Sequence, residues 1–290
     1  MSKMLQYLKT AKKIFDGALR NIRAGRISLI FYVYYFYRHF TSEFRHLPSN
    51  RGLTEFLTSF TQLSQEKVEE DKLSSIFEYD WDNLIILDAC RFDLFNEVTG
   101  LEGFRYTLAS GTKQYIRENY RQGDFSDIVY ISDNPHFHES KFSKLTGRKP
   151  EETFQAVFHS YLEGETHQNF HTESVKKDAI TAEKLFKNER KIIHFLLPHM
   201  PTISDDNDIN WRTAERKEYS TDEVWQGYKE NLNFVLEEVK SLSESLEGKT
   251  LITSDHGNLF NSNGVYGHTT NLPIKGLRKV PLCDAEDIKR

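Results

Sequence analysis

Two carboxylates and a histidine stand where short apolar runs stop. Residues 251–257 read Leu-Ile-Thr-Ser-Asp-His-Gly, and residues 84–88 read Leu-Ile-Ile-Leu-Asp. Each run predicts a buried strand, one delivering Asp255 and His256 at its C-terminal tip, the other Asp88. A carboxylate oxygen beside an imidazole nitrogen on a rigid element suits a hard or borderline divalent cation. Asp-His-Gly also serves as a plain strand-to-turn exit, with Asp and Gly chosen for the turn. The matching carboxylate at Asp88 favours the cation.

A reacting group is needed beside such a cation. The stretch Ser110-Gly111-Thr112-Lys113 looks like a turn opening a helix, with Ser110 or Thr112 at the N-cap above free backbone amides. Orphan N–H groups and the helix dipole favour an anion there. A hydroxyl close to a divalent cation can lose its proton and attack phosphorus or sulfur. A helix cap without chemistry uses the same residue types. His199, in Pro198-His199-Met200-Pro201, and His268, twelve residues past His256, complete the set. Neutral imidazoles near a phosphate donate hydrogen bonds or protonate a leaving oxygen.

The elements that must position these groups alternate in type. The runs 84–87, 128–131 and 192–197 are apolar throughout, as in central parallel strands covered on both faces. Between them lie helix-like stretches at 173–189 and at 222–246, the latter with Val224, Tyr228, Leu232, Val235, Leu236, Val239 and Leu242 on one stripe. Strands alternating with amphipathic helices predict an α/β fold with a mostly parallel sheet. Ligands in such sheets sit outside the carboxyl ends of the strands. Asp88, His199 and the pair Asp255-His256 all fall at such ends.

Composition and charge narrow the class. Seven prolines and fifteen glycines in 290 residues are too few for a disordered chain, and 13% aromatic residues can fill a sizeable core. Cys90 and Cys283 suggest no disulfide framework, so a reducing, cytoplasmic setting is expected. Residues 1–46 carry nine Lys and Arg against two Asp and Glu, so the remainder of this −5 chain is strongly acidic. An acidic core without aromatic-basic interleaving excludes nucleic acid as partner. The basic first 22 residues have a helical apolar stripe, and residues 27–37 (ISLIFYVYYFY) follow without charge. That run is shorter than the roughly 20 residues that span a bilayer. The segment suits either peripheral contact with an anionic membrane at the inner face or packing of its apolar stripe on the domain. Residues 1–50 are therefore read as a basic helical segment and residues 51–290 as the catalytic domain.

Taken together, LIILDACRFD, SGTKQYI, PHMP and SDHGNLFNSNGVYGHT resemble the alkaline phosphatase superfamily, in its sulfatase-like hydrolase and transferase branch. The resemblance covers roughly residues 80–282, with Gly276-Leu277-Arg278-Lys279-Val280-Pro281-Leu282 closing it. It implies a three-layer α/β/α sandwich. Asp88, Asp255 and His256 would match metal ligands, and Thr112 the metal-bound nucleophile that is transiently phosphorylated or sulfated. His199 and His268 would match histidines that contact the transferred group, and Arg91 and Lys113 are candidates for holding an anionic substrate. The ligand types favour one Zn2+ or Mn2+, with Ca2+ or Mg2+ as alternatives. No Asp-x-x-x-His pair precedes His199, which argues against a second ion.

Departures from the resemblance decide between activities. Formylglycine sulfatases carry Cys-x-Pro-x-Arg, whereas Cys90 is followed by Arg91-Phe92-Asp93. Cys90 therefore reads as a small buried residue, and the expected reaction is phosphoryl transfer on a phosphate ester, on a small molecule, glycan or lipid-linked saccharide. A sulfate ester hydrolase and a catalytically inactive binding protein are the alternatives. His136, His138, His159, His167 and His171 follow no decipherable pattern and read as exposed loop residues.

Overall fold

The computed structural model describes residues 67–160, 171–203, 209–262, 265–268 and 271–289. The basic N-terminal segment and His167 lie outside them. The chain divides into two compact units, residues 1–67 and 68–290, and every described residue except Lys67 belongs to the second.

Among the described residues, eight strands alternate with helices: β1 (Leu73–Ser74), β2 (Asn83–Leu87), α1 (Phe92–Thr99), β3 (Phe104–Thr107), α2 (Thr112–Tyr120), β4 (Phe125–Ser132), α3 (Glu139–Thr146), β5 (Phe154–His159), α4 (Thr172–Leu185), β6 (Arg190–Phe195), α5 (Thr221–Ser243), β7 (Thr250–Thr253) and β8 (Lys279–Asp284). They form one sheet in the order β1-β3-β8-β7-β2-β6-β4-β5. Only β8 runs antiparallel to its neighbours. The remaining pairings are parallel, so the expected mostly parallel α/β arrangement is observed.

Side chains alternate between two cores, which explains the unbroken apolar runs. Ile85, Leu87, Ile193, Phe195 and Ile252 face α1, α4 and α5. Leu84, Ile86, Ile128, Tyr130 and Ile192 face the other way, against Tyr115, Ile116 and Tyr120 of α2 and Phe142 of α3. Both faces are covered, so the layers are helix, sheet and helix, as expected of a sandwich. Each fully buried Ile or Leu contributes about 1.5–3 kcal/mol, so the central strands are the most strongly specified part of the fold.

Register brings the strand ends level. Ile86 pairs with His194 on one side and with Thr253 on the other, and His194 pairs with Ser132. The residues that follow β2, β7 and β4 therefore emerge side by side, next to the end of β6.

Candidate active site

Asp88 and Asp255 are both buried, at 1% and 0% exposure, and each has one oxygen pinned and one left over. Asp255 Oδ1 accepts from the backbone N–H of Ala89 at 3.0 Å and of His256 at 2.9 Å. Asp88 Oδ2 accepts from Asn134 Nδ2 at 2.5 Å and from the Thr112 hydroxyl at 3.3 Å. Asp88 Oδ1 and Asp255 Oδ2 have no hydrogen-bond partner. Buried charged oxygens without partners are costly unless a cation joins them.

Two histidines face these oxygens. The Nδ1 of His256 lies 2.7 Å from the Gly257 carbonyl. A carbonyl only accepts, so Nδ1 carries the proton and Nε2 presents a lone pair. That lone pair sits 3.1 Å from Thr112 Oγ1, 3.4 Å from Asp255 Oδ2 and 3.7 Å from Asp88 Oδ1. His194 Nε2, also without a hydrogen bond, lies 3.5 Å from Asp88 Oδ2. Single atoms of Asp88, His194 and Asp255 all fall within 4.8 Å of one another.

The charge balance agrees with this geometry. Burial opposes ionisation of Asp88, yet its contact with His194 and the nearby imidazoles of His199 and His256 outweigh it and hold the carboxyl well below the usual range. Burial likewise opposes charge on His194, but Asp88 and Asp255 raise its pKa. The cluster thus stabilises positive charge. Its unpartnered carboxylate oxygens and imidazole lone pair fit a borderline divalent cation such as Zn2+ or Mn2+.

Thr112 reaches this cluster because it does not cap its helix. The N-cap of α2 is Gly111, without a side-chain cap bond, and Thr112 is the first helical residue. The sequence predicts Ser110 or Thr112 at the cap; neither stands there. Ser110 is tied instead into the loop, its hydroxyl donating to Gln114 Oε1 at 3.2 Å and accepting from the Leu272 N–H at 3.0 Å. The Thr112 hydroxyl turns to Asp88 and His256.

His199 and His268 form a second pair, with Nε2 atoms 3.1 Å apart. His199 Nδ1 lies 2.5 Å from the Met200 carbonyl, so it too carries its proton there. The pair is adjacent to the first cluster, the His256 and His268 rings being 4.2 Å apart. Burial and the neighbouring His256 and His199 depress the His268 pKa far below its ordinary value, which keeps that ring neutral. His136 also bears on His268. It is half-buried, as are His138 and His171, whereas His159 is exposed.

Several supporting residues escaped the sequence reading. Asn231 of α5, fully buried, donates to the carbonyls of Pro198, His199 and Pro201 at 3.3, 3.3 and 2.9 Å and accepts from the Ile203 N–H at 2.9 Å. Buried Arg105 donates to Thr253 Oγ1 and the Ser254 carbonyl at 3.0 and 3.1 Å, steadying the turn that carries Asp255. Gly257 is required by close approach: a Cβ there would sit 2.3 Å from the Gly276 carbonyl oxygen. Asn134 follows β4 in a loop with no motif to mark it. His194 left one sign, a polar residue inside an apolar strand.

The two anion-binding candidates differ. Arg91 donates from Nε to Asp93 at 2.8 Å and from its terminal nitrogens to Asp93 and the Asn258 carbonyl. Its guanidinium therefore braces the start of α1 and the loop after His256. Lys113 is exposed on the first turn of α2. Cys90 is fully buried.

No family model matches the sequence, and no curated protein does. Solved structures similar to it include the C-terminal periplasmic domain of phosphoethanolamine transferase EptC from Campylobacter jejuni, at 15% identity and a TM-score of 0.42, covering 69% of this chain and 76% of that one. Another is the soluble domain of lipooligosaccharide phosphoethanolamine transferase A from Neisseria meningitidis, at 14% identity and a TM-score of 0.45, covering 71% and 77%. A protein in the alkaline phosphatase superfamily from Vibrio parahaemolyticus is similar at 10% identity and a TM-score of 0.37, covering 70% of this chain and 59% of that one. At these levels function must be read from the residues of the site.

Proposed function

We propose that this chain is a metal-dependent enzyme of phosphoryl transfer, acting on a phosphate ester through Thr112. The observation that carries the reading is the buried Thr112 hydroxyl, 3.1 Å from the lone pair of His256 and 3.3 Å from Asp88, beside two unpaired carboxylate oxygens. Asp88, Asp255, His256 and Thr112 would hold the cation, with His194 within reach. When bound, the cation supplies charge neutralisation and lowers the pKa of the hydroxyl.

The chain's own groups supply the rest. Asp88 Oδ2 is the acceptor open to the Thr112 proton, since the one lone pair of His256 would be committed to the cation. Thr112 Oγ1 forms a bond to phosphorus as the bond from phosphorus to the leaving alcohol oxygen breaks. The departing oxygen takes a proton from the His199–His268 pair, whose shared proton lies between the two Nε2 atoms. Water or an acceptor alcohol then releases the phosphoryl group from Thr112. A neutral His268 is suited to this pairing, since two charged imidazoles could not share one hydrogen bond.

Sulfate ester hydrolysis through Cys90 as a formylglycine precursor is disfavoured: the residue is buried and is followed by Arg91-Phe92-Asp93 instead of the x-Pro-x-Arg pattern. The test is Thr112→Ala, assayed with phosphomonoester, phosphodiester and sulfate ester substrates, with elemental analysis of the purified protein. Turnover should fall to the buffer level while metal content survives. Full activity in that variant overturns the assignment and moves it to Ser110.

A further inference from the structure

His194 lies within a strand rather than at a strand tip, and its ring is held at Nδ1. Its ring projects into the aromatic core, edge-on to Tyr115, Tyr130 and Phe137 at centroid distances of 6.4, 6.3 and 5.6 Å. In that apolar setting Tyr130 Oη lies 2.7 Å from Nδ1. Nε2 has no hydrogen bond and faces Asp88 at 3.5 Å, within the same 4.8 Å cluster as Asp255.

Two proton arrangements satisfy the Tyr130 contact. If the hydroxyl donates to Nδ1, the neutral ring carries its proton on Nε2 and has no lone pair there. If Nδ1–H donates to the hydroxyl oxygen, Nε2 presents a lone pair toward the Asp88 carboxylate. Only the second arrangement makes His194 a ligand. A phenol accommodates either, because it both donates and accepts; a phenyl ring accommodates neither.

We propose that Tyr130 is a positioning residue for the cation centre, acting through His194. Its hydroxyl accepts the Nδ1 proton, fixes the ring and directs the Nε2 lone pair toward Asp88 and Asp255. This rests on the cation site of the proposed function and adds His194 and its outer partner to it. Outer partners of ligating histidines are typically worth about 10–100-fold in metal affinity.

The test measures affinity without turnover. Full-length Tyr130→Phe, His194→Gln and the double variant are titrated with Zn2+ and Mn2+ against a competing chelator, with near-UV circular dichroism reporting the fold. Tyr130→Phe removes one oxygen and keeps the ring, and should bind about 10–100-fold more weakly. His194→Gln should lose at least as much, and the double variant no more than His194→Gln alone. Wild-type affinity in either single variant overturns the proposal. So does a Tyr130→Phe loss that persists undiminished in the His194→Gln background, since the hydroxyl would then act elsewhere. Asp255→Asn separates the two levels. If it binds as wild type, the cation centre is misassigned; if it loses metal while Tyr130→Phe does not, only the role of Tyr130 fails.

Discussion

Asn231 separates support of the His199 loop from the chemistry beside it. Its amide offers two N–H donors to three carbonyls of residues 198–201, and its oxygen accepts one backbone N–H. About three net hydrogen bonds are thus lost in Asn231→Ala, at roughly 1 kcal/mol each, with the Ile203 N–H left without its partner. A loss of about 3 kcal/mol should lower Tm by roughly 6–12 °C in a domain of this size. Asn231→Asp keeps the volume but replaces donors with an acceptor facing three carbonyls, so it should cost at least as much. The loop that carries His199 would also shift. A displacement near 1 Å can cost about 10²-fold in rate, so kcat should fall by that order. Metal affinity should hold, because Asp88, Asp255 and His256 follow β2 and β7. Thermal unfolding, steady-state kinetics and metal titration of both variants test this. A stable and fully active Asn231→Asp would refute the reasoning, for it would show that donation to the loop contributes nothing.

Two further outcomes follow from buried titratable groups. Cys90→Ala should retain turnover within about twofold and lose roughly 1 kcal/mol of stability to the small void; loss of activity with an intact fold would give the thiol a part in the reaction that this reading denies it. Asp133 accepts from Leu196 N–H and His171 N–H at 2.7 and 3.1 Å, yet burial raises its pKa from 3.8 to about 6. The folded state therefore holds that proton more tightly, and stability is lost as pH rises from below 4 through about 6. The loss is at most roughly 3 kcal/mol. Chemical unfolding of Asp133→Asn and wild type at pH 4 and pH 7 should show the variant gaining relative stability at the higher pH. A difference that does not change with pH would mean that the carboxyl titrates normally.

What could be read from the sequence and what could not divide along physical lines. Unbroken apolar runs can be buried on both faces only inside a covered parallel sheet, so 84–87, 128–131 and 251–252 declared both themselves and the layers around them. Asp88, Asp255 and His256 were legible because polar residues within a few positions after such a run must sit at or just past a strand tip. Thr112 was legible as a hydroxyl at a helix start but not as distinct from Ser110. That choice follows from Gln114 and the Leu272 N–H, which engage Ser110 and leave Thr112 to the carboxylates. His194, Asn134 and Asn231 gave almost no signal, because their meaning lies in which strand or loop stands beside them. His194 matters through its register with Ile86 and Ser132, and Asn231 through a loop some thirty residues earlier in the chain. By itself, then, the sequence determined which side chains end the strands, since burial dictates where apolar runs may stop. Only the tertiary structure decided which of their atoms are already hydrogen-bonded and which remain open. Partner atoms come from elements distant in sequence, and the open atoms are the ones left to do chemistry.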